Sequence, residues 1–218
     1  MGFLLTSPFY TLYYYLHNSN GDNMTPDQYV KDAIRTESPV SEIQANPEFL
    51  SHVIEAIVAL SSILDQVKKN AFYGKKFDGI KISGALHVAG VAVEQMRNSI
   101  VDHGLLGGLH PVERKELVPI NARLFHSVIG IATESSELLE ALKLDGTPMD
   151  TVNMLEEFGD LNWYQAIGID QAGGSFEQVL ERNIAKLKAR FPNKFTSEDA
   201  INRDLTKERA ILEDIHTN

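Results

Sequence analysis

From Pro47 to Asn70 the apolar residues Phe49, Val53, Ile57, Leu60, Leu64 and Val67 recur at steps of three and four, which is the period of an amphipathic helix. The period returns in Ile120, Leu124, Val128, Ile131, Leu138 and Leu142. No stretch sustains the alternation of a half-buried strand. A chain patterned this way has to bury its apolar stripes by packing helix on helix, so an all-α helical bundle is expected.

The punctuation between the periodic stretches agrees. Thr25, Pro26 and Gln28 read as N-cap, first helical residue and returning member of a capping box. Gly74 after Tyr73 closes the helix that begins near Pro47. A further helix is expected from about Phe77 to Asp102, followed by a linker marked by Gly104, Gly107, Gly108 and Pro111. The next helix runs from Ile120 to near Asp145-Gly146, another from Met149 to Gln171 before Gly173-Gly174, and a last one from its cap Ser175 to Arg190.

Two of these helices carry carboxylates in pairs: Glu134 and Glu137 on one, Glu157 and Asp160 on the next. The i,i+3 spacing puts each pair about 60° apart around its axis. Facing helices would converge four negative charges, and a fold keeps such a cluster only if something cationic neutralises it. A hard divalent cation such as Mg²⁺ takes oxygen ligands of this kind and is commonly held by carboxylates together with substrate phosphates. Glu156 lies about 100° from Glu157 and reads as a helper or surface residue. Asn183, Lys186 and Arg190 fall at i, i+3 and i+7, one face of the Ser175 helix.

Composition narrows the setting. The formal net charge of -10 disfavours a protein that grips a nucleic-acid backbone, and the absence of Cys removes disulfides and thiolate chemistry and permits a reducing cytosol. Residues 1–23 are apolar and Tyr-rich at first, without a basic n-region and broken by Thr6, Ser7 and Pro8, so neither a signal peptide nor a membrane span is expected. Met24 could be the initiator, which would make 1–23 an extension.

A repeat is visible at an offset of 74: His52, Ile57, Ser61, Ser62 and Leu64 match His126, Ile131, Ser135, Ser136 and Leu138, with Leu60 and Ile63 where Glu134 and Glu137 stand. At an offset of 72, Asp78 matches Asp150, and Ala85 and Val88 stand where Glu157 and Asp160 do. An ancient duplication would leave this pattern; so would two amphipathic helices alike only in period.

These motifs resemble the MazG-like all-α nucleoside triphosphate pyrophosphohydrolases, whose pattern is a Glu-Glu-x-x-Glu helix, a Glu-x-x-Asp helix and a later helix with a Lys and an Arg. The resemblance covers about residues 119–203, and Glu181 to Phe195 looks like the short phage and bacterial members. Thr133 departs from the pattern, standing where the family has its first glutamate. The resemblance implies that Glu134, Glu137, Glu157 and Asp160 hold Mg²⁺ or Mn²⁺, more than one ion once substrate phosphates arrive. It implies that Asn183, Lys186 and Arg190 contact the polyphosphate of a nucleoside triphosphate; Glu137, closest in sequence to the centre of the cluster, is expected to take the proton of the attacking water. A cytoplasmic homodimer or tetramer is implied too, with no nucleic-acid or membrane partner.

On this reading residues 1–23 are an extension, 24–110 a degenerate helical repeat, 111–203 the catalytic region and 204–218 a tail. Plainer readings stand beside it. Exposed acidic pairs are common, Lys186 and Arg190 suit the negative end of a helix dipole, Trp163 and Tyr164 read as core, and His52 and His126 as packing or capping residues. A di-iron bundle would need a pair of Glu-x-x-His helices, which the segments carrying these carboxylates lack. The alternative of another class is a catalytically inactive helical interaction module.

Overall fold

The structure, a computed structural model, describes residues 24–39, 46–102, 120–143 and 146–213. The expected extension 1–23 and the glycine-rich linker lie outside them. The described residues form α-helices and no strand: α1 (Pro26–Arg35), α2 (Pro47–Tyr73), α3 (Gly79–Asp102), α4 (Ala122–Ala141), α5 (Thr151–Gln171), α6 (Phe176–Arg190), α7 (Ser197–Ile201) and α8 (Leu205–Glu213). The chain is all-α.

Local chemistry sets most of the helix ends. Thr25 accepts from the Gln28 N–H at 3.1 Å. The capping box is not completed, because the Gln28 amide donates forward to Asp32 at 3.0 Å. Asn46 caps α2 ahead of Pro47, and Gly74 ends it at φ 66°, a left-handed conformation that a Cβ would strain. Asp150 caps α5 through the Val152 and Asn153 N–H groups, and Ser175 caps α6 through that of Gln178. Helix α4 stops at Ala141, short of the expected Asp145, and Lys143 takes a positive φ of 49° just beyond it. The stretch expected as a C-terminal tail contains α8.

The helices belong to two compact units, and the boundary between Glu181 and Arg182 falls inside α6. The first unit contains α1, α4, α5 and the start of α6. Here α4 packs along α5, and α1 packs on α5. Arg123 ties the unit together: its Nε donates to both Glu37 oxygens at 2.8 Å, and its Nη1 donates to Asp170 at 2.5 Å.

The second unit contains α2, α3, the remainder of α6, α7 and α8. The short Gly74–Asp78 connection folds α2 and α3 into a helical hairpin. Its buried hydrophobic residues are alanines, Ala56, Ala59, Ala89 and Ala92, whereas Phe72 and Ile80 are 74% and 87% exposed. Among the described residues α2 is the one helix long and apolar enough to cross a membrane, with a mean hydropathy of 1.4 over its most apolar window.

Candidate metal centre

Small residues decide how closely α4 and α5 approach. Ser127 and Gly130 on α4 are buried, as are Ala166 and Ile167 on α5. The Ser127 hydroxyl donates to the Tyr164 carbonyl at 2.7 Å, linking the helices directly. A Cβ on Gly130 would lie 2.2 Å from the Tyr164 ring, and one on Gly168 would lie 2.3 Å from Ser127 Oγ. Both positions therefore admit only glycine without movement of a neighbour.

That approach carries Glu134 up to Glu157 and Asp160. One carboxylate oxygen from each lies within 4.8 Å of the others. Glu157 is buried at 6% exposure, Glu134 is half-buried, and Asp160 is exposed. Glu137 is exposed and falls outside this trio, yet its charge acts on Glu157. Glu156 is exposed.

Among the described residues no Lys, Arg or His forms an ion pair with any of these carboxylates. The electrostatics follow. Burial pushes the Glu157 carboxyl above the ordinary carboxylate range, the charge of Glu137 adds to the shift, and a hydrogen bond with Glu134 favours the protonated form further. Burial likewise raises the Tyr164 phenol, with Glu134, Asp160 and Glu137 reinforcing it. Thr133 donates to the Gly130 carbonyl at 2.9 Å and reaches Glu134 Oε1 at 3.4 Å, so the residue that departs from the family pattern still touches the cluster.

Two further groups complete the surroundings. Tyr29, on α1, donates to the Gly159 carbonyl at 3.3 Å; burial and then Asp160 raise its phenol. It lies 131 positions from Asp160, and no motif or period marks it. His126 packs edge-on against Trp163 and Tyr164, and its buried Nδ1 has no hydrogen-bond partner among the described residues. Trp163 is anchored by donating to Thr36 Oγ1 at 2.8 Å.

Three carboxylates this close, one of them buried and none ion-paired among the described residues, offer oxygen ligands of the kind a hard divalent cation takes. Asn183, Lys186 and Arg190, expected to contact the polyphosphate, lie on the part of α6 that belongs to the second unit. Asn183 is exposed, and Lys186 is half-buried with no ion-pair partner among the described residues. Arg190 is already engaged, donating to both oxygens of Glu208 at 2.8 and 2.7 Å. Comparison with protein-family models, curated proteins and solved structures gives no match.

Proposed function

We propose that the protein is a metal-dependent nucleoside triphosphate pyrophosphohydrolase, converting an NTP or dNTP and water to the monophosphate and pyrophosphate in control of the cytosolic nucleotide pool. The observation that carries this reading is the convergence of Glu134, Glu157 and Asp160 within 4.8 Å around a buried, unneutralised Glu157. The resemblance to MazG-like enzymes supplies the substrate class and the position of attack.

Bound by these carboxylates, Mg²⁺ or Mn²⁺ would neutralise phosphoryl oxygens and make a water nucleophilic near neutral pH. The chain's own groups do the rest. Water oxygen bonds to the α-phosphorus, the bond from that phosphorus to the bridging oxygen breaks, and pyrophosphate departs. Glu137 takes the proton. Its exposure leaves it open to a bound water, one turn from Glu134. Tyr29 and Tyr164 stay protonated at neutral pH and offer hydroxyls beside Asp160 and Glu134. Asn183 and Lys186 are proposed to contact the polyphosphate, with Arg190 contributing only the N–H groups that Glu208 leaves free.

The α2–α3 hairpin is proposed as the degenerate copy of α4–α5. Asp78 and Asp150 each accept from an N–H in the first turn of the helix that follows, and Ala56 and its counterpart Gly130 are both buried. One active site per chain follows from that proposal. The exposed apolar residues of the same hairpin support self-association, because patches of this kind commonly mark interfaces.

The test is release of pyrophosphate from a panel of ribo- and deoxyribonucleotides, with and without Mg²⁺ or Mn²⁺. Metal-dependent turnover of at least one nucleotide is expected. Inactivity with all of them, at several metal concentrations, would overturn the enzymatic reading and leave a helical interaction module.

A further inference from the structure

The second unit holds a cavity of about 360 Å³, within the size range of small-molecule sites. Its walls come from α2 with Lys75 just beyond it, the end of α6 and the stretch from Phe191 to Arg203, and none of its residues belongs to the unit that carries the carboxylate cluster. Lys68, Lys69, Lys75, Arg190 and Arg203 line it. Asp65 is paired with Lys68 at 2.9 Å and with Lys69. Glu208 holds Arg190 and Arg203, at 2.7 and 2.6 Å. Lys75 forms no ion pair among the described residues. Five cations against two carboxylates leave three positive charges in a chain whose formal net charge is -10.

Aromatic rings form another part of the lining. The Phe195 ring lies 5.7 Å from that of Tyr73 and 5.4 Å from that of Phe191, and the Arg190 guanidinium sits 5.7 Å from the Phe191 centroid. Cations over a solvated helix end would need neither enclosure nor a row of rings. A flat ring can stack on such side chains whatever its edge chemistry. A phosphate can take hydrogen bonds from the guanidinium groups and charge from the lysines.

We propose that this cavity binds a small phosphate ester carrying a flat ring, of nucleoside monophosphate size. The cavity shares no residue with the carboxylate cluster, and Arg190 is the one residue it has in common with the polyphosphate contacts proposed above. The experiment is calorimetric titration of the full chain in EDTA with AMP, adenosine and inorganic phosphate in turn, so that no divalent cation serves the carboxylates.

AMP should bind at one site per chain, with adenosine and phosphate each weaker by about tenfold or more. Lys75→Gln should weaken AMP by about tenfold, and Tyr73→Leu should weaken AMP and adenosine together, both variants keeping the parent's circular dichroism and melting temperature. Glu157→Gln should leave AMP binding unchanged. Absence of AMP binding in EDTA, or affinity that is the same in Lys75→Gln and Tyr73→Leu as in the parent, would overturn the proposal. Either result would leave the metal-centre reading standing.

Discussion

Two glutamates are buried to nearly the same degree, Glu157 at 6% and Glu208 at 5% exposure, and their surroundings are opposite. Glu208 sits between two guanidinium groups that together donate four hydrogen bonds to it. Those bonds hold its carboxyl down to about 2. Glu157 sits among carboxylates, and its carboxyl is pushed up. A buried charge with its partners in place fastens a fold, whereas one without them is relieved by taking up a proton or by a cation from outside. The same residue type is thus a structural clamp in one unit and a candidate ligand in the other.

The sharpest way to break that contrast is to neutralise each glutamate in turn. Glu157→Gln, or Asp160→Asn, is expected to abolish pyrophosphate release, with a loss beyond about 100-fold, while the metal-free melting temperature stays level or rises. Glu208→Gln should spare the metal centre and lower stability by roughly 2 kcal/mol, below the cost for a fully buried pair because Arg203 is partly exposed. If the two variants exchanged phenotypes, the assignment of roles would be wrong. Glu137→Gln should reduce turnover by about 100-fold or more, in the range for loss of a general base, with little change in metal affinity; equal loss of both would make Glu137 a ligand and not a base.

Gly130→Ala probes the packing that creates the site. The added methyl meets the Tyr164 ring at 2.2 Å, and overpacking of this kind costs about 1–3 kcal/mol. Destabilisation with weaker metal binding is expected by thermal melting and calorimetry. Alanine at Gly159, where a Cβ meets nothing within 4 Å, is the control and should behave like the parent.

The smallest effect is in pH. Glu208 has a folded value of about 2 against an ordinary 4.5, so its stabilisation is complete above about pH 4.5 and is lost as pH falls towards 2. Glu157 runs the other way. Its folded value is raised, so its ionisation is destabilising, and that penalty fades as pH falls from neutral towards 4.5. Trp163, the only tryptophan, lies on α5 and reports on the first unit. Its fluorescence should show metal-free unfolding shifting to higher temperature as pH drops from 7 to about 5, and Glu157→Gln should remove that shift.

Much of the site was legible because it is local. The i,i+3 spacing of Glu157 and Asp160 and the helical periods around Glu134 were enough to anticipate carboxylates on neighbouring helices, and Gly74 and Ser175 lie at the helix ends expected of them. What escaped is long-range. Tyr29 meets Gly159 from 130 positions away, and Arg123 joins Glu37 to Asp170 across 86 and 47 positions. Charge pairs of this kind follow no period. Arg190 shows the consequence: its place on the helix face was legible, whereas its ion pair with Glu208, in a stretch expected to be a tail, was not.

On the function proposed above, Glu157 is buried to hold a cation. Its most direct test is calorimetric titration of the metal-free protein with Mn²⁺, comparing the parent, Glu157→Gln and Glu208→Gln under conditions where all three are folded. Binding to the parent and to Glu208→Gln is expected, with Glu157→Gln weaker by about tenfold or more. Equal Mn²⁺ affinity in the parent and Glu157→Gln, or no binding to the parent, would contradict it.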